Sequence, residues 1–400
     1  MTDAQLIIEC GAAQTRATLM EGDDVRAFWF GPARGDETLP RPPDSGDIHV
    51  ARIRKLTKGA QGAFVDIGWS RDGFLSYGHD RLPPVEGERL VVKVKRPPMG
   101  QKGPLVTRCW RAGLGVSEIA SLEAAAVSGE PRRLNEREDA AVSALRFFSA
   151  EKPDRATIDD AEAARALAAT DSVQLNVGMD QDLSRGLSEC VAASFERTVT
   201  IDDGVRLTFD ETEALTAIDV DSAKAADGRS APVNDKVNVA AANALFGELS
   251  RRGIGGRIVV DFLAFPHARS RETFKKTLAR AKHGYNCRFG ALAPDGLFDL
   301  TAPRTRLSLL ERATEFDRTT PRPGQRFTLD WSAKAAIREL ETLLKYRPKA
   351  KPRLLVCSEV ADYVDRLRPE WLNRLRAKYG PRFELGPNSK LEARSFDLSE

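Results

Sequence analysis

The sequence predicts a multidomain protein of the α+β class, on three observations. Its 400 residues exceed what one ordinary hydrophobic core organises, so two or more domains are expected. A hydrophobic content of 42% and a charged content of 30% are typical of a soluble globular protein and not of a disordered one. Short strand patterns fill residues 4–111 and 198–221, whereas Ala- and Glu-rich helical patterns fill residues 115–195.

The cysteines and histidines indicate the redox environment of the protein and whether it could bind zinc. The five cysteines and four histidines are dispersed, and no CxxC motif occurs, so the sequence predicts no structural zinc. An odd, scattered set of cysteines favours reduced thiols in a cytosol. The N-terminus has no signal-peptide pattern, and no window reaches the apolar length of a membrane span. We therefore expect a cytoplasmic protein with no membrane partner.

The first elements in the chain are strands. Residues 4–31 predict a β-meander of three strands separated by Gly and Asp turn signals. After the Pro-rich stretch "LPRPPDSGD", residues 47–111 contain five short strand candidates with Gly turns between them. Five strands with this spacing predict a small barrel, and an OB-fold is the first candidate.

The later part of this barrel is strongly basic. Residues 81–111 contain eight basic and two acidic side chains, a net +6 against +3 for the whole chain. Aromatic side chains precede this stretch, namely Phe64, Trp69, Phe74 and Tyr77. Basic groups can follow a phosphate backbone while aromatic rings stack on bases. Two interpretations stay open: nucleic-acid binding, or a barrel core filled by Phe64 and Phe74 with a solvated rim of lysines.

The following elements alternate between helices and strands. "LNEREDAAVSALRFF" predicts a helix with Asn135 as its cap, and two more helical patterns follow before residue 195. Residues 198–209 predict a hairpin, and residues 237–253 a helix ended by Gly253. "RIVVDFLAF" predicts a strand buried on both faces, which completes a βαβ-like unit. "TTPRPGQ" predicts a linker, and the tail from Leu329 a small α/β domain.

Aspartates mark two of these strands. Asp219 and Asp221 lie two residues apart in a strand, which places them on one face, and Asp261 lies late in the next strand. If the two strands are neighbours, the three carboxylates converge and need a cation. Oxygen ligands favour Mg²⁺ or Mn²⁺. The alternative is that aspartates at strand ends cap turns or helices; for Asp261, burial between apolar neighbours argues against that alternative.

Several motifs resemble the bacterial ribonuclease E/G family. "FDETEALTAIDVDSAKA" is similar to its active-site signature, and "VNVAAANALFGELSRRGIGGRIVVDFL" to the segment that follows. "GAFVDIGWSRDGFLSY" and "GQKGPLVTR" resemble its inserted OB-fold RNA-binding domain of the S1 type, and "RTRLSLLE" the end of its catalytic core. The resemblance covers most of residues 1–310 and extends more weakly into the tail.

The resemblance implies a domain plan. It implies an RNase H-like domain split by an inserted OB-fold (S1-type) domain, a DNase I-like catalytic subdomain and a small C-terminal α/β domain. The implied boundaries are 1–45 and 155–196 for the RNase H-like domain, 46–112 for the OB-fold, 113–154 for a truncated 5′-sensor-like helical segment, 197–312 for the catalytic subdomain, 313–328 for a linker and 329–400 for the C-terminal domain.

The resemblance also implies an activity. The family's enzymes are Mg²⁺-dependent endoribonucleases that cut single-stranded, often A/U-rich RNA and leave a 5′-phosphate. The positions that match its metal-binding aspartates are Asp219 and Asp261, and Asp221 is expected to orient or join that catalytic site. Its RNA contacts fall on Phe64, Phe74 and Lys102, and Lys224 is expected to add another.

The chain departs from the family pattern at three places. Asp221 stands where the family has asparagine, the stretch that senses a 5′-monophosphate has no match, and "ERATEFDRTTPRPGQ" replaces the CPxC zinc link. We therefore expect a monomer or a dimer that zinc does not link. The missing stretch leaves dependence on the RNA 5′ end open. These departures also support an alternative, a non-catalytic RNA-binding paralogue. A third hypothesis, a DNA nuclease, is disfavoured because the OB-fold motifs resemble those of RNA binders.

Overall fold

The protein is described here from a computed structural model. The structure describes residues 4–36, 42–57, 61–77, 84–99, 102–109, 120, 122, 124, 130–135, 138–170, 172–201, 204–222, 231–282, 284–317 and 324–400. The chain forms two compact units, one of residues 36–138 and one of residues 1–35 together with 139–400. No described helix is long and apolar enough to cross a membrane.

The described strands have the following bounds: β1 Ala4–Cys10, β2 Gln14–Glu21, β3 Asp24–Pro32, β4 Ile48–Thr57, β5 Gly62–Asp66, β6 Gly73–Ser76, β7 Arg89–Arg96, β8 Leu105–Arg108, β9 Arg132–Arg133, β10 Arg155–Ile158, β11 Gln174–Val177, β12 Thr198–Thr200, β13 Val205–Glu211, β14 Thr216–Ser222, β15 Gly256–Asp261, β16 Arg288–Leu292, β17 Leu297–Ala302, β18 Thr314–Asp317, β19 Gly324–Phe327, β20 Arg353–Val356, β21 Glu384–Pro387 and β22 Phe396–Ser399. The helices are α1 Ala140–Phe147, α2 Ala161–Ala168, α3 Gln181–Ala193, α4 Ala231–Arg252, α5 Ala268–Ala281, α6 Leu309–Ala313, α7 Leu329–Tyr346, α8 Ser358–Leu367 and α9 Pro369–Tyr379.

The smaller unit is a closed five-stranded barrel. Its strands follow the order β4-β5-β6-β8-β7 and return to β4, with β6 and β8 parallel and the other neighbours antiparallel. Alternate residues point inward and form an apolar core that includes Ile53, Val65, Leu75 and Val92. This confirms the predicted barrel, whose strand order is that of an OB-like fold.

The larger unit begins with a five-stranded sheet of order β11-β10-β1-β2-β3. Strands β1, β10 and β11 are parallel, and β1, β2 and β3 form the antiparallel meander that the sequence predicts. Helices α1 and α2 pack on this sheet through small and apolar side chains such as Ala144 and Leu167. Asp139 and Asp160 cap the two helices, and Arg34 donates to both carboxylates at 2.6 and 3.0 Å.

A second, six-stranded sheet of order β12-β13-β14-β15-β17-β16 carries α4 and α5 on one face. Strands β14 and β15 are parallel, and α4 crosses between them, as predicted. Gly253 ends α4 with a φ of 66°, a conformation that glycine adopts at little cost. The opposite face of this sheet is open, because its outward residues are mostly exposed.

Three arginines from residues 251–312, which include part of the second sheet, donate hydrogen bonds to the edge strand of the first sheet. Arg251, Arg306 and Arg312 donate to the carbonyls of Val25, Phe28 and Phe30 in or beside β3, at 3.1, 2.9 and 3.2 Å. Edge strands otherwise leave such carbonyls without partners. These contacts fix the two sheets relative to each other within the larger unit.

The tail forms a three-stranded sheet of order β21-β20-β22 packed on α7, α8 and α9, which confirms the predicted α/β pattern. Its core also includes Ala12 and Ala13 from the turn between β1 and β2. Strand β22 has no counterpart in the sequence prediction.

The structure differs from several sequence predictions. The smaller unit spans residues 36–138, which is wider than the predicted 46–112, because β9 pairs with β4. Asn135 does not cap a helix: its side chain accepts from the Ile48 amide at 2.8 Å, and α1 begins after Asp139. The predicted helical segment 113–154 is therefore divided between the two units. The predicted linker contains the β18–β19 hairpin. Strand β15 is buried on one face only, since Arg257 and Asp261 are exposed.

Candidate catalytic site and nucleic-acid interface

Two of the predicted aspartates are neighbours on adjacent strands. In β14, Thr216, Ile218 and Val220 point into the core, so Asp219 lies on the open face. The parallel register of β14 and β15 places Asp219 directly beside Asp261. Neighbouring strands lie about 4.8 Å apart, which brings the two carboxylates within reach of one ion. The convergence predicted from the sequence is therefore present. The argument that burial sets Asp261 apart is wrong, because its side chain is exposed.

Helix α4 positions the chain that follows Asp261. The fully buried side chain of Asn238 donates to the Leu263 carbonyl at 2.8 Å and accepts from the Leu263 amide at 2.9 Å. One turn earlier, Asn234 donates to the Ala264 carbonyl at 3.1 Å. Beyond β15 the amides of Phe262 and Phe265 donate to the carbonyls of Gly296 and Pro294 at 3.2 and 2.8 Å, and the two asparagines satisfy Leu263 and Ala264 between them. Together these bonds hold the segment that follows Asp261.

The other aspartates on the open face have arginine partners. Asp210 pairs with Arg197 at 2.7 Å, Asp299 pairs with Arg257 at 3.2 Å, and Asp221 pairs with Arg206. Arg206 stands opposite Asp221 in the antiparallel register of β13 and β14. Within the described part of the chain, neither Asp219 nor Asp261 has a basic partner. The structure thus brings Asp219 and Asp261 together and engages Asp221 with an arginine.

The electrostatics of Asp219 reflect this crowding. Partial burial raises the pKa of Asp219, the charges of Asp261 and Asp221 raise it further, and Arg206 opposes them. A raised pKa means that the ionised carboxylate is disfavoured where it stands. A cation placed between Asp219 and Asp261 would relieve this cost.

The carboxylates of the first sheet are neutralised by contrast. Glu9 is buried against Arg16, and although burial opposes ionisation, Arg16 and Arg338 together lower the pKa of Glu9. Asp159 accepts from Lys345 at 2.9 Å. Asp139 and Asp160 share Arg34, as described above. Each of these four carboxylates has a cationic partner in place, so none of them is available to a metal ion without breaking an ion pair.

The donor set at Asp219 and Asp261 fits a hydrated Mg²⁺ ion. The described residues contain no cluster of three or more acidic, histidine or cysteine side chains that could enclose a metal. Mg²⁺ does not need one, because it keeps several waters and is commonly held by one or two carboxylates together with substrate phosphates. Two adjacent carboxylates without a cation match that coordination.

The barrel presents an aromatic row on its outer surface. Phe64 and Phe74 are cross-strand partners whose ring centroids lie 5.7 Å apart at 71°, and Phe64 is 42% exposed. The interpretation that they fill the barrel core is wrong, because their neighbours Val65 and Leu75 point inward instead. Gly62 permits this packing: a Cβ there would lie 2.2 Å from the Phe74 ring.

The register extends this row in both directions. It runs across four neighbouring pairs of strands in the order Lys55, Phe64, Phe74, Leu105, Arg96. Within the described residues, neither Lys55 nor Arg96 has an ion-pair partner. We call these five residues the aromatic row. The sequence analysis singled out neither cation for this role, although the alternation of inward and outward residues in β4 and β7 contains the signal.

The remaining predicted contacts are placed in part. Lys102 is exposed and lies in a short bridge with Met99, which exchanges backbone hydrogen bonds of 2.9 and 3.0 Å. Lys224 lies outside the described residues, so the structure does not place it relative to Asp219.

Comparison with known proteins identifies the class. A family model for the ribonuclease E/G family matches residues 116–305, a segment that contains both Asp219 and Asp261. Ribonuclease E of Buchnera aphidicola is 31% identical over 125 residues, which cover 30% of this chain and 14% of that protein. Ribonuclease E of Escherichia coli is 34% identical over 111 residues, covering 26% of this chain and 10% of that protein.

A further relative is matched over most of its length. Ribonuclease G of Escherichia coli is 22% identical over 406 aligned residues, which cover 76% of this chain and 81% of that protein. The chain thus spans a small part of the ribonuclease E relatives and most of ribonuclease G. The chain is thus similar to the ribonuclease E/G family over residues 116–305 and to ribonuclease G over most of its length.

Proposed function

We propose that the protein is a Mg²⁺-dependent endoribonuclease that cleaves single-stranded, A/U-rich RNA and leaves 5′-phosphate ends. Similarity to the ribonuclease E/G family supports an RNA-cleaving activity. The observation that carries the proposal is the register pair Asp219–Asp261, the two aspartates of the open face without an arginine partner in the described chain. Mn²⁺ is expected to substitute for Mg²⁺, because both accept oxygen ligands.

Each residue has a stated role in this proposal. Asp219 and Asp261 hold the ion, and Asn238 fixes the backbone beyond Asp261. When bound, the ion would stabilise charge that develops on the scissile phosphate. The first sheet resembles an RNase H-like arrangement in its strand order, but its carboxylates are neutralised, so we place the chemistry on the second, DNase I-like sheet.

The barrel supplies RNA affinity in this proposal. Phe64 and Phe74 offer exposed ring surface on which bases can stack, and Lys55 and Arg96 stand at the two ends of the row to meet phosphates. Lys102 adds an exposed positive charge on the same unit. This combination favours single strands, whose bases are free to stack.

The test separates cleavage from binding. Short A/U-rich RNAs bearing a 5′-hydroxyl or a 5′-monophosphate are incubated with Mg²⁺, Mn²⁺ or EDTA. We expect Asp219→Asn to lower the cleavage rate by on the order of a hundredfold or more and to leave RNA binding intact. Phe64→Ala should instead weaken RNA binding, by roughly 1–3 kcal/mol for each base that the Phe64 ring stacks on. Asp210→Asn, on the same face but paired with Arg197, is the matched control and should cleave normally.

The outcomes discriminate between enzyme and binding protein. Metal-dependent cutting of both RNAs at equal rates supports a nuclease that does not depend on the RNA 5′ end. RNA binding without cutting under either metal would refute the proposal and favour the non-catalytic RNA-binding paralogue. Normal cutting by Asp219→Asn would refute the assignment of the metal site.

A further inference from the structure

One arginine–aspartate pair of the open face adjoins the candidate metal site. Asp221 lies two residues after Asp219 on the same face of β14 and is engaged by Arg206 across the β13–β14 register. The pairs Arg197–Asp210 and Arg257–Asp299 belong to a different level of the sheet, since Asp210, Ala217, Val259 and Asp299 are register partners. Arg206 is thus the arginine that controls a carboxylate next to Asp219 in sequence and on the same face.

The position of Asp221 decides how many carboxylates the site presents. With Asp221 turned to Arg206, two carboxylates remain for an ion. Without Arg206, three carboxylates would crowd the same part of the face, and like charges at this separation repel one another unless a cation is bound. A third carboxylate would bind a divalent ion more tightly and displace waters that Mg²⁺ otherwise keeps.

We propose that Arg206 is a positioning residue that holds Asp221 in a cross-strand ion pair and so keeps it from becoming a third ligand of the divalent ion. The inference rests on the proposed function, because it concerns the same site. It explains how an aspartate is accommodated at position 221: the arginine opposite supplies the charge that keeps the site at two free carboxylates. Asp221 then acts as a reserve ligand, and loss of Arg206 makes it available to the ion.

The Arg206–Asp221 ion pair affects the position of the Asp221 carboxylate more than the free energy of unfolding. Both side chains are about half exposed, at 45% and 47%. Ion pairs with this exposure contribute little to folding. Arg206→Ala should therefore leave the unfolding midpoint in EDTA almost unchanged, which makes it usable as a probe of metal binding.

The experiment is a double-mutant cycle on metal binding, read without RNA. Mn²⁺ binding to the full chain is followed by the loss of the free-ion electron paramagnetic resonance signal, in wild type, Arg206→Ala, Asp221→Asn and the double variant. We expect Arg206→Ala to bind Mn²⁺ on the order of two- to fivefold more tightly, which is the range that releasing a half-exposed ion pair allows. Adding Asp221→Asn should return the affinity to that of wild type, whereas Asp221→Asn alone should change it much less. Arg206→Lys should stay close to wild type.

The cycle also contains the result that overturns the inference. If Asp221→Asn has the same effect with and without Arg206, the two residues act only as additive charges, and the positioning role is wrong. Unchanged binding by Arg206→Ala refutes it equally. Arg185→Ala removes an exposed arginine that pairs with Asp182 on α3, and it should bind Mn²⁺ like wild type.

A separate variant distinguishes failure of the site from failure of the inference. Mn²⁺ binding that is lost in Asp219→Ala, together with an additive cycle, overturns the role of Arg206 and leaves the site standing. Mn²⁺ binding that survives in Asp219→Ala overturns the proposed site and the role of Arg206 with it. Absence of Mn²⁺ binding by wild type also overturns both.

Discussion

Replacing Asn238 by alanine tests whether α4 positions the candidate metal site. The amide of Asn238 is fully buried and forms two hydrogen bonds, of 2.8 and 2.9 Å, with the backbone of Leu263. Alanine would leave one amide and one carbonyl of Leu263 without these partners. Each such loss costs about 1–3 kcal/mol, so we expect about 2–6 kcal/mol in total, with the lower part applying if water enters the space.

Asn234→Ala is a matched control on the same helix. Asn234 is less buried and forms one hydrogen bond, of 3.1 Å, with the Ala264 carbonyl. Both variants gain the same helix propensity, about 0.5 kcal/mol, so the difference between them isolates the buried contacts. We expect Asn234→Ala to lose at most about 1 kcal/mol.

The assay combines denaturation with local exchange. The larger unit contains several sheets, so a single free energy of unfolding is not assured, and hydrogen exchange of the peptide that contains Leu263 reports the local effect. We expect faster exchange there, a lower urea midpoint and slower RNA cleavage, because the backbone beyond Asp261 is displaced. Equal effects of the two substitutions on exchange and midpoint would refute the reasoning that Asn238 fixes the end of β15.

Two further predictions concern the barrel and the acidic pair. Gly62→Ala places a Cβ 2.2 Å from the Phe74 ring, so the ring must move away, and RNA affinity should fall by more than stability does. Gly186→Ala is the control, because a Cβ there meets nothing within 4 Å; it should stabilise α3 by about 0.5–1 kcal/mol without affecting RNA binding. Asp219→Asn should raise stability at neutral pH in EDTA. The raised pKa means that the penalty of ionising Asp219 is present above that pKa and disappears as the pH falls below the ordinary value for aspartate; urea midpoints across pH check this, and an equal gain at acidic and neutral pH would contradict it.

The convergence of Asp219 and Asp261 could be predicted from the sequence because it depends on local rules. Two strand patterns joined by one helix of crossover length form a parallel pair, and the carboxyl ends of parallel strands share an edge of the sheet. The barrel could be predicted for a similar reason, since five short strands with Gly turns indicate closure. What the pattern did not establish was burial: "RIVVDFL" is apolar enough for a strand covered on both faces, yet Arg257 and Asp261 face solvent.

Helix boundaries illustrate a different limit. Asn135 and Asp139 are both residue types that cap helices. The structure uses Asp139, because the Asn135 side chain accepts the amide of Ile48, 87 residues earlier in the chain. A contact that spans this distance has no local signal, so the sequence alone does not distinguish the two residues.

The candidate metal site is distinguished by the missing cationic partners of its carboxylates more than by the number of acidic residues. Both sheets of the larger unit bring carboxylates together, and counting acidic residues does not separate them. On the first sheet the neutralising cation of Asp159 comes from Lys345, 186 residues away, which only the folded chain reveals. On the second sheet the register of β13 and β14, set by the turn at residues 212–215, assigns Arg206 to Asp221 and no cation to Asp219. A hairpin register is accessible from sequence, so the engagement of Asp221 was open to prediction, whereas the neutralisation of the first sheet was not. The pair Asp219–Asp261 therefore becomes recognisable only when the arginine partners of the neighbouring aspartates on the same face are known.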